Sequence, residues 1–297
     1  MTGYNYTLQR QADYWLGEFT VMASPCQILL EGMSEATAET LVQQAYHEAK
    51  RIELKYSRYR SDNIIAQLNC GAGKALTLDD ETARLVNFSQ LCFQLSDGLF
   101  DISSGILGKL WHFKQQTQIP SDADIQTLLP DIGWHKVAWQ PPILTLPAGM
   151  QVDFGGIGKE YAVDKVAAML QSQTDSAFLV NFGGDIYANK LRSNGQVWQV
   201  TIEDPQQLGS GHTIISLTRG GLASSGDSQR FIDVAGQRYS HILNPKTGYP
   251  ITGCPSQITV YAQNCVQAGM LATIALLQGE HAQVFLDAQN CRYWLNG

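Results

Sequence analysis

The stretch from residue 151 to residue 190 constrains the fold of this chain more than any other. QVDFGGIGKEYAVDKVAAML predicts a short strand, a glycine turn and an amphipathic helix, whose apolar positions are Tyr161, Val163, Val166, Ala167 and Leu170. AFLVNFGGDIYANK then predicts an apolar strand that ends in a second Gly-Gly turn. The order of these pieces predicts a β–loop–α–β unit of about the size that a crossover connection needs.

Helices and strands are intermixed in the rest of the chain without strict alternation. FTVMASPCQILLEG predicts two strands around an Ala-Ser-Pro interruption, and Ser34 is a good N-cap for the helix that follows. Ser61 is a candidate cap for a second helix, and Asp79 or Asp80 for a third. The Pro- and Gln-rich residues 112–150 predict surface connections and hairpin strands. We therefore expect an α+β fold with one or two mostly antiparallel sheets.

The length and charge of the chain limit its possible functions. With 297 residues, 44% of them hydrophobic, it can bury a large core as a single domain over 1–297 or as two intimate lobes. A net charge of −7 argues against a general nucleic-acid-binding face, since phosphate neutralisation needs clustered Lys and Arg. An acidic chain can still bind a phosphorylated small molecule through backbone amides, a cation or one lysine.

The cysteines and the N-terminal residues bear on the cellular compartment. The six cysteines are scattered without a C-x-x-C pair, which favours core residues over metal ligands. The sequence contains neither the apolar region of a signal peptide nor a run of ~18 apolar residues that would span a membrane. As written it predicts a cytoplasmic protein, or a periplasmic one if an export segment has been removed.

DFGGIGKEY is similar to nucleotide-binding loops but matches neither standard template. A Walker A loop requires Ser or Thr where Glu160 stands, and a dinucleotide fingerprint requires glycine where Tyr161 stands. The physical argument remains, because glycines let the backbone approach a ligand and the following helix directs free N–H groups towards it. Lys159 and Asp153 favour an anion site, although a plain strand-to-helix turn stays open.

Three further segments allow both a structural and a functional interpretation. Asp97-Gly98 in DGLFDISSG is typical of a turn or helix C-cap, and Asp227 in GGLASSGDSQR can bind a hydroxyl, a cation or its own backbone. The G-x-S-x-G elbow of a Ser-His-Asp hydrolase is absent. His241 in YSHILNPKTGYP precedes dipeptides that fix a loop, and a lone histidine there is more often structural unless neighbouring motifs form a phosphate site.

The order of these motifs is more specific than any one of them. MASPC…YSRYRSDNIIAQLN…DGLFDISSGILGKLW…VDFGGIGKEYAVDKV…LVNFGGDIYAN…SSGD…YSHILNPKTGYP…SQITVYA…AGMLATIALL resembles the ApbE-type flavin transferases from about residue 19 to residue 287. The resemblance implies a T-fold-like α+β protein with mixed or antiparallel sheets and packed helices. It also implies an FAD:protein FMN transferase that cleaves FAD, attaches FMN by a phosphoester to a threonine of a target protein, releases AMP and uses Mg²⁺.

The resemblance further implies which residues line the site. Met22 would lie against the flavin, and His241 in the SHI run would be the catalytic residue. Mg²⁺ would be held by the carbonyl of Gly156 and by Thr273. The other residues implied around FAD are Tyr59, Leu99, Phe100, Asp101, Asp153, Lys159 and Leu243.

Three positions depart from the family pattern. Ser24 keeps a hydroxyl where Gly-Thr usually follows the methionine, and Glu160 stands where glycine is usual. Gly269 in AGMLAT replaces the aspartate that ligates Mg²⁺ in the family. Loss of an anionic oxygen should weaken Mg²⁺ binding, because this ion favours carboxylates together with substrate phosphates. Glu160 and Asp227 are candidate replacements.

The implied chemistry suits these residue types. The threonine oxygen attacks the FMN-side phosphorus while AMP leaves, so a cation and a lysine would neutralise charge and a histidine or carboxylate would take the proton. The sequence leaves the identity of this base open. Two alternatives remain: an FAD-binding carrier or sensor without transferase activity, which Gly269 favours, and an FAD pyrophosphatase that releases FMN and AMP.

Overall fold

The predicted α+β class is confirmed by a computed structural model that describes residues 5–113, 118–203, 212–226, 231–234 and 237–296. An eight-stranded sheet is accompanied by one three-stranded and two two-stranded sheets. Every strand pairing within the described residues is antiparallel. No described helix combines the length and the apolar content that a membrane span requires.

The strands are short and mostly joined by turns. In chain order they are β1 (Tyr6–Arg10), β2 (Tyr14–Val21), β3 (Ser24–Glu31), β4 (Ala75–Thr77), β5 (Ala138–Gln140), β6 (Ile143–Thr145), β7 (Phe178–Phe182), β8 (Asp185–Ala188), β9 (Trp198–Glu203), β10 (His212–Leu217), β11 (Gly220–Gly226), β12 (Phe231–Val234), β13 (Gln237–Ser240), β14 (Gln257–Ala262) and β15 (Arg292–Asn296). The large sheet has the order β1-β2-β3-β7-β8-β11-β14-β15, and the small sheets are β4-β6-β5, β9-β10 and β12-β13.

Several helices begin at a polar cap that the sequence shows. Ser34 and Asp79 cap the first and third helices as predicted, and Asn264 caps the sixth. The α-helices are α1 (Glu35–Tyr56), α2 (Ile64–Cys70), α3 (Asp80–Leu95), α4 (Asp122–Leu128), α5 (Gly158–Gln171), α6 (Cys265–Leu277) and α7 (Ala282–Ala288). Short 3₁₀ segments cover Ile102–Lys109, Leu129–Asp131, Trp134–Lys136 and Gly279–His281.

The large sheet separates two apolar layers. Alternate residues of a strand point to opposite faces, so Phe178 and Val180 of β7 join one core while Leu179 joins the other. Helices α1, α5 and α6 pack side by side on the first face. The β9–β10 hairpin covers the second face with residues such as Trp198 and Ile215. The glycine turns therefore lie where the helix layer meets the end of the sheet.

The predicted β–loop–α–β crossover is wrong, because residues 151–154 form no strand. Their backbone groups bond elsewhere: the Val152 N–H donates to Asn69 Oδ1 at 2.7 Å, and the Asp153 N–H donates to the carbonyl of Ile102 at 2.9 Å. The helix α5 and the strand β7 were predicted correctly, but β7 pairs antiparallel with β3.

Three smaller predictions also need correction. The turn between β2 and β3 is formed by Met22 and Ala23, so Ser24 and the proline after it already lie in a strand. Asn63 caps α2 in place of Ser61, since its Oδ1 accepts the Ala66 N–H at 2.9 Å. Helix α4 lies in a region for which only connections and hairpin strands were predicted.

Candidate active site

The N-terminus of α5 is open to an anion. Residues Phe154–Ile157 form a tight turn in which the Gly158 N–H donates to the carbonyl of Phe154 at 2.8 Å. The N-cap is Ile157, whose side chain has no acceptor, and no side-chain cap bond is formed there. Gly155 and Gly156 are exposed beside it. The N–H groups of Lys159 and Glu160 have no backbone acceptor among the described residues, so they and the positive end of the helix dipole can face a phosphate.

Asp153 is held by a partner that the sequence did not indicate. Its Oδ2 accepts a hydrogen bond from Arg58 Nη1 at 2.9 Å, and its Oδ1 accepts one from the Gly155 N–H at 2.9 Å. A Cβ added to Gly105 would lie 2.5 Å from Asp153 Cβ, so only glycine fits where the 3₁₀ segment Ile102–Lys109 crosses this turn. Asp153 therefore fixes the turn ahead of α5 and brings a guanidinium next to it.

Lys159 joins the two glycine turns. Its Nζ lies 2.8 Å from Oδ2 of Asp185, which follows the second Gly-Gly turn and is 2% exposed. Burial acts to lower the pKa of Lys159, but the nearby carboxylates of Asp185 and Glu160 outweigh it and the pKa is raised. Lys159 thus stays positively charged at neutral pH. Burial raises the pKa of Asp185, with Lys159 opposing that rise.

The β2–β3 turn lies against the second glycine turn. A Cβ at Gly183 would lie 3.1 Å from Oγ of Ser24 and 3.7 Å from Nζ of Lys159. Met22 and Ala23 both adopt positive φ, 54° and 55°, which is unfavourable for residues other than glycine. The Met22 N–H donates to Glu53 Oε1 at 2.7 Å. Met22 and Lys159 are far apart in sequence but were predicted to line one site. The fold brings both to the same end of the sheet.

Glu160 packs over Gly269. A Cβ at Gly269 would lie 2.6 Å from Glu160 Cγ and 2.7 Å from its Oε1, so the side chain fills the space that any larger residue at 269 would need. Thr273 is one turn further along the same face of α6, and its hydroxyl donates to Ser225 Oγ at 3.3 Å. Burial, followed by the charge of Asp185, raises the pKa of Glu160 to about 8.

The residues around Glu160 fit a hard divalent cation. They offer carboxylate and hydroxyl oxygens, which are the ligand atoms that Mg²⁺ prefers. The Thr273 hydroxyl donates its hydrogen to Ser225, so the lone pairs of its oxygen can face a cation. The described residues contain no group of three or more His, Cys, Asp or Glu side chains arranged as a cage. Proteins usually hold Mg²⁺ by one or two carboxylates together with substrate phosphates.

The Leu99–Asp101 segment contacts the glycine turn through one ring. A Cβ at Gly156 would lie 3.3 Å from the Phe100 ring, which is 5% exposed. Asp101 is buried, and its carboxylate accepts three hydrogen bonds: two from Ser103 and one from the Trp134 N–H at 2.9 Å. Leu99 is half-buried against the main core. In this structure Asp101 fastens the segment rather than leaving an oxygen free.

His241 begins a closed loop. The Ile251 N–H donates to the carbonyl of Ile242 at 3.0 Å, and Leu243 forms a bridge with Pro250. The ring of His241 lies 6.2 Å from that of Phe113 in an edge-on arrangement. The loop is closed by turns at the Asn-Pro and Thr-Gly dipeptides, and the His241 imidazole at its start is half-buried.

The 3₁₀ segment Ile102–Lys109 connects this loop to the α5 turn. A Cβ at Gly248 would lie 3.5 Å from Leu107 Cδ2, while Gly105 of the same segment touches Asp153. A cavity of about 440 Å³ opens between the residues preceding this segment and the loop, where its lining includes Asp101 and Lys246. Its size is in the range of small-molecule sites.

The remaining predicted residues differ in their placement. Tyr59 is 91% exposed, and its ring contacts the Arg58 guanidinium at 5.8 Å. Asp227 lies outside the described residues. Sequence reasoning missed Arg58 and Asp185, because each is defined by a partner distant in sequence. The only signal for Asp185 was its position directly after the second Gly-Gly turn.

Known proteins resemble this chain in sequence and in fold. The model of the ApbE family matches residues 22–294. The FAD:protein FMN transferase of Vibrio cholerae serotype O1 is 29% identical over 252 residues, which are 82% of this chain and 75% of the relative. The solved structure of flavin transferase ApbE from Vibrio cholerae has a TM-score of 0.86 at 26% identity, covering 96% of this chain and 94% of that one. The crystal structure of the ApbE protein from Thermotoga maritima has a TM-score of 0.85 at 26% identity, covering 95% and 94%.

Proposed function

This chain belongs to the ApbE family, and from that premise we propose that it is an FAD:protein FMN transferase, which moves FMN from FAD to a threonine of an acceptor protein and releases AMP. The observation that carries the proposal is the family match over residues 22–294, which contains the whole candidate site. Relatives that match over about nine tenths of this chain carry the same name, among them the protein of Haemophilus influenzae, at 88%.

The pyrophosphate of FAD would bind at the N-terminus of α5. The uncapped N–H groups and the exposed Gly155 and Gly156 let phosphate oxygens approach the backbone. Lys159 adds a positive charge that its buried carboxylate partner maintains at neutral pH. The ring systems of FAD would contact apolar side chains near the N-terminus of α5, namely Phe100, Leu243 and Met22.

A divalent cation would be held by the carbonyl of Gly156 and the hydroxyl of Thr273, together with a carboxylate. When bound, Mg²⁺ supplies positive charge to the phosphate oxygens and so favours displacement of AMP. The apolar neighbours of Thr273 in α6, Ala272 and Ile274, are buried, and a low local dielectric would strengthen such electrostatic contacts.

His241 would handle the proton. The threonine Oγ–P bond forms on the FMN side as the P–O bond to AMP breaks, and the hydroxyl proton needs an acceptor within hydrogen-bond reach. A neutral imidazole can accept it, and the ring of His241 lies edge-on to that of Phe113 at the start of the closed loop. The 3₁₀ segment Ile102–Lys109 sets the distance between this loop and the α5 turn.

The test is a transfer assay with purified protein. We expect a threonine-bearing acceptor incubated with FAD and Mg²⁺ to become covalently fluorescent on a denaturing gel, with AMP formed in equal amount. His241→Ala should retain FAD binding and lose transfer, by roughly 100-fold or more if it is the base. FAD binding without fluorescence on any acceptor would contradict the proposal.

Two other functions predict different products. An FAD pyrophosphatase would form AMP and FMN without an acceptor, and a carrier or sensor would bind FAD and form neither. The carrier was favoured by the missing carboxylate at Gly269, and the packing of Glu160 over that glycine weakens this argument. Measuring AMP with and without acceptor separates the three.

A further inference from the structure

We propose that Glu160 is the carboxylate ligand of the divalent cation in this chain, and that Glu160 and Gly269 form an exchanged pair. In this arrangement α5 supplies the carboxylate oxygen, and α6 supplies the empty space that the side chain occupies. The inference rests on the proposed function only for the identity of the ion, since the site itself is argued from packing and charge.

The packing shows that the two positions depend on each other. Cγ, Cδ and Oε1 of Glu160 all lie within 3.0 Å of the point where a Cβ of residue 269 would be. Real Cβ atoms essentially never approach a neighbour this closely, so Gly269 is required by Glu160 in its present position. The carboxylate consequently lies on the face of α6 that carries Thr273 one turn later.

The inner site, around Glu160, has more acidic than basic side chains. Lys159 is placed between two carboxylates: its Nζ lies 2.8 Å from Oδ2 of Asp185, and Glu160 is the next residue in α5. Asp185 is 2% exposed, and its Oδ2 is held by the ion pair with Lys159. When Glu160 is ionised, two carboxylates face one ammonium, and a bound cation would offset that excess negative charge.

Binding of Mn²⁺ to the full chain tests the proposal without any transfer reaction. Free Mn²⁺ is followed by electron paramagnetic resonance, with Mg²⁺ as competitor, in the presence and absence of FAD. The variants are Glu160→Gln, which removes only charge; Glu160→Ala; Gly269→Asp; and the double variant E160A/G269D. Glu280→Gln, an exposed carboxylate outside the site, is the matched control. Circular dichroism and thermal unfolding identify variants that do not fold.

We expect Glu160→Gln and Glu160→Ala to weaken Mn²⁺ binding by about tenfold or more, and E160A/G269D to return to within about twofold of wild type. Gly269→Asp alone should unfold at lower temperature, because its side chain collides with Glu160. Wild-type Mn²⁺ affinity in folded Glu160→Gln would overturn the proposal, as would a folded double variant no better than Glu160→Ala, or a wild-type chain that binds no Mn²⁺ under either condition.

The outcome is separable from that of the transfer assay. If Glu160→Gln loses Mn²⁺ and the wild type modifies no acceptor, the cation site stands and the proposed function fails. If the wild type transfers FMN and Glu160→Gln binds Mn²⁺ normally, the function stands and Glu160 is not the ligand.

Discussion

Adjacent residues of α5 reach two clusters of charged side chains that are built in opposite ways. Tyr161 donates to Glu81 Oε1 at 3.0 Å and so touches the outer cluster, which consists of Glu48, Arg51, Lys55, Asp79 and Glu81 between α1 and α3. Glu160, one residue earlier, belongs to the inner cluster with Lys159, Asp164 and Asp185, near α6. The same residue types are thus used twice within a few ångströms of one helix.

Hydrogen bonding separates the two clusters. In the outer cluster Glu81 accepts from both terminal nitrogens of Arg51 and from Lys55, each at 2.8 Å, and the Arg51 bonds lower its pKa. In the inner cluster burial raises the pKa of Glu160, Asp164 and Asp185. The outer cluster therefore stabilises the fold with its carboxylates ionised. In the inner cluster burial favours the protonated carboxylic acids, and a bound cation would favour their ionised forms.

Removing the single cation of the inner cluster should have the largest effect. Lys159→Met leaves the carboxylate of Asp185 buried without compensation, and we expect a loss of about 3 kcal/mol in the free energy of unfolding, measured in urea. The double variant K159M/D185N removes both charges and should recover most of that loss. If Lys159→Met is as stable as wild type, the proposed difference between the inner and outer clusters is wrong.

The second prediction concerns Asp164, which accepts hydrogen bonds from the N–H groups of Cys265 and Val266. Burial raises its pKa from 3.8 to about 6, so the fold favours the protonated acid and stability is lost as the pH rises from 3.8 to 6. Asn cannot titrate. The cost of Asp164→Asn in urea unfolding should therefore be larger at pH 4 than at pH 7, by roughly 2 kcal/mol.

Glu81→Gln should show the opposite pH dependence and a smaller effect. The folded pKa of Glu81 lies well below its ordinary value of 4.5, so its contribution is present above pH 4.5 and is lost as the pH falls below that. We expect a cost of about 1.5 kcal/mol at pH 7 that shrinks at pH 4. If both variants have the same pH slope, the distinction between the two clusters is wrong.

The parts of the fold set by nearby residues were predictable from the sequence. Ser34 and Asp79 cap helices through their own neighbours, and the helical spacing after the DFGG turn predicted α5. The strand predicted before that turn failed because Asn69 and Ile102, both far away in sequence, take its backbone hydrogen bonds. An extended apolar run does not show which remote groups will bond to it.

The candidate site also contains features that the local sequence predicts and features that depend on residues distant in sequence. Lys159 and the glycine turn are local features, and the sequence predicted them together with His241 as candidates. The pairing of Arg58 with Asp153 and of Lys159 with Asp185 could not be predicted, since each joins elements that meet only after folding. In the sequence, Gly269 indicated the loss of a metal-binding carboxylate. Only the packing of α5 against α6 shows that the carboxylate of Glu160 lies over this glycine.

The missing cap of α5 has one further consequence. Other helices in this chain, such as α1, α3 and α6, begin with a side chain that closes the first turn, whereas α5 begins with Ile157. A bound phosphate would thus take the place of the missing cap and accept hydrogen bonds from the first turn of α5. Amide hydrogen exchange at residues 159 and 160 then reports occupancy of the site directly, with the capped ends of α1, α3 and α6 as internal references.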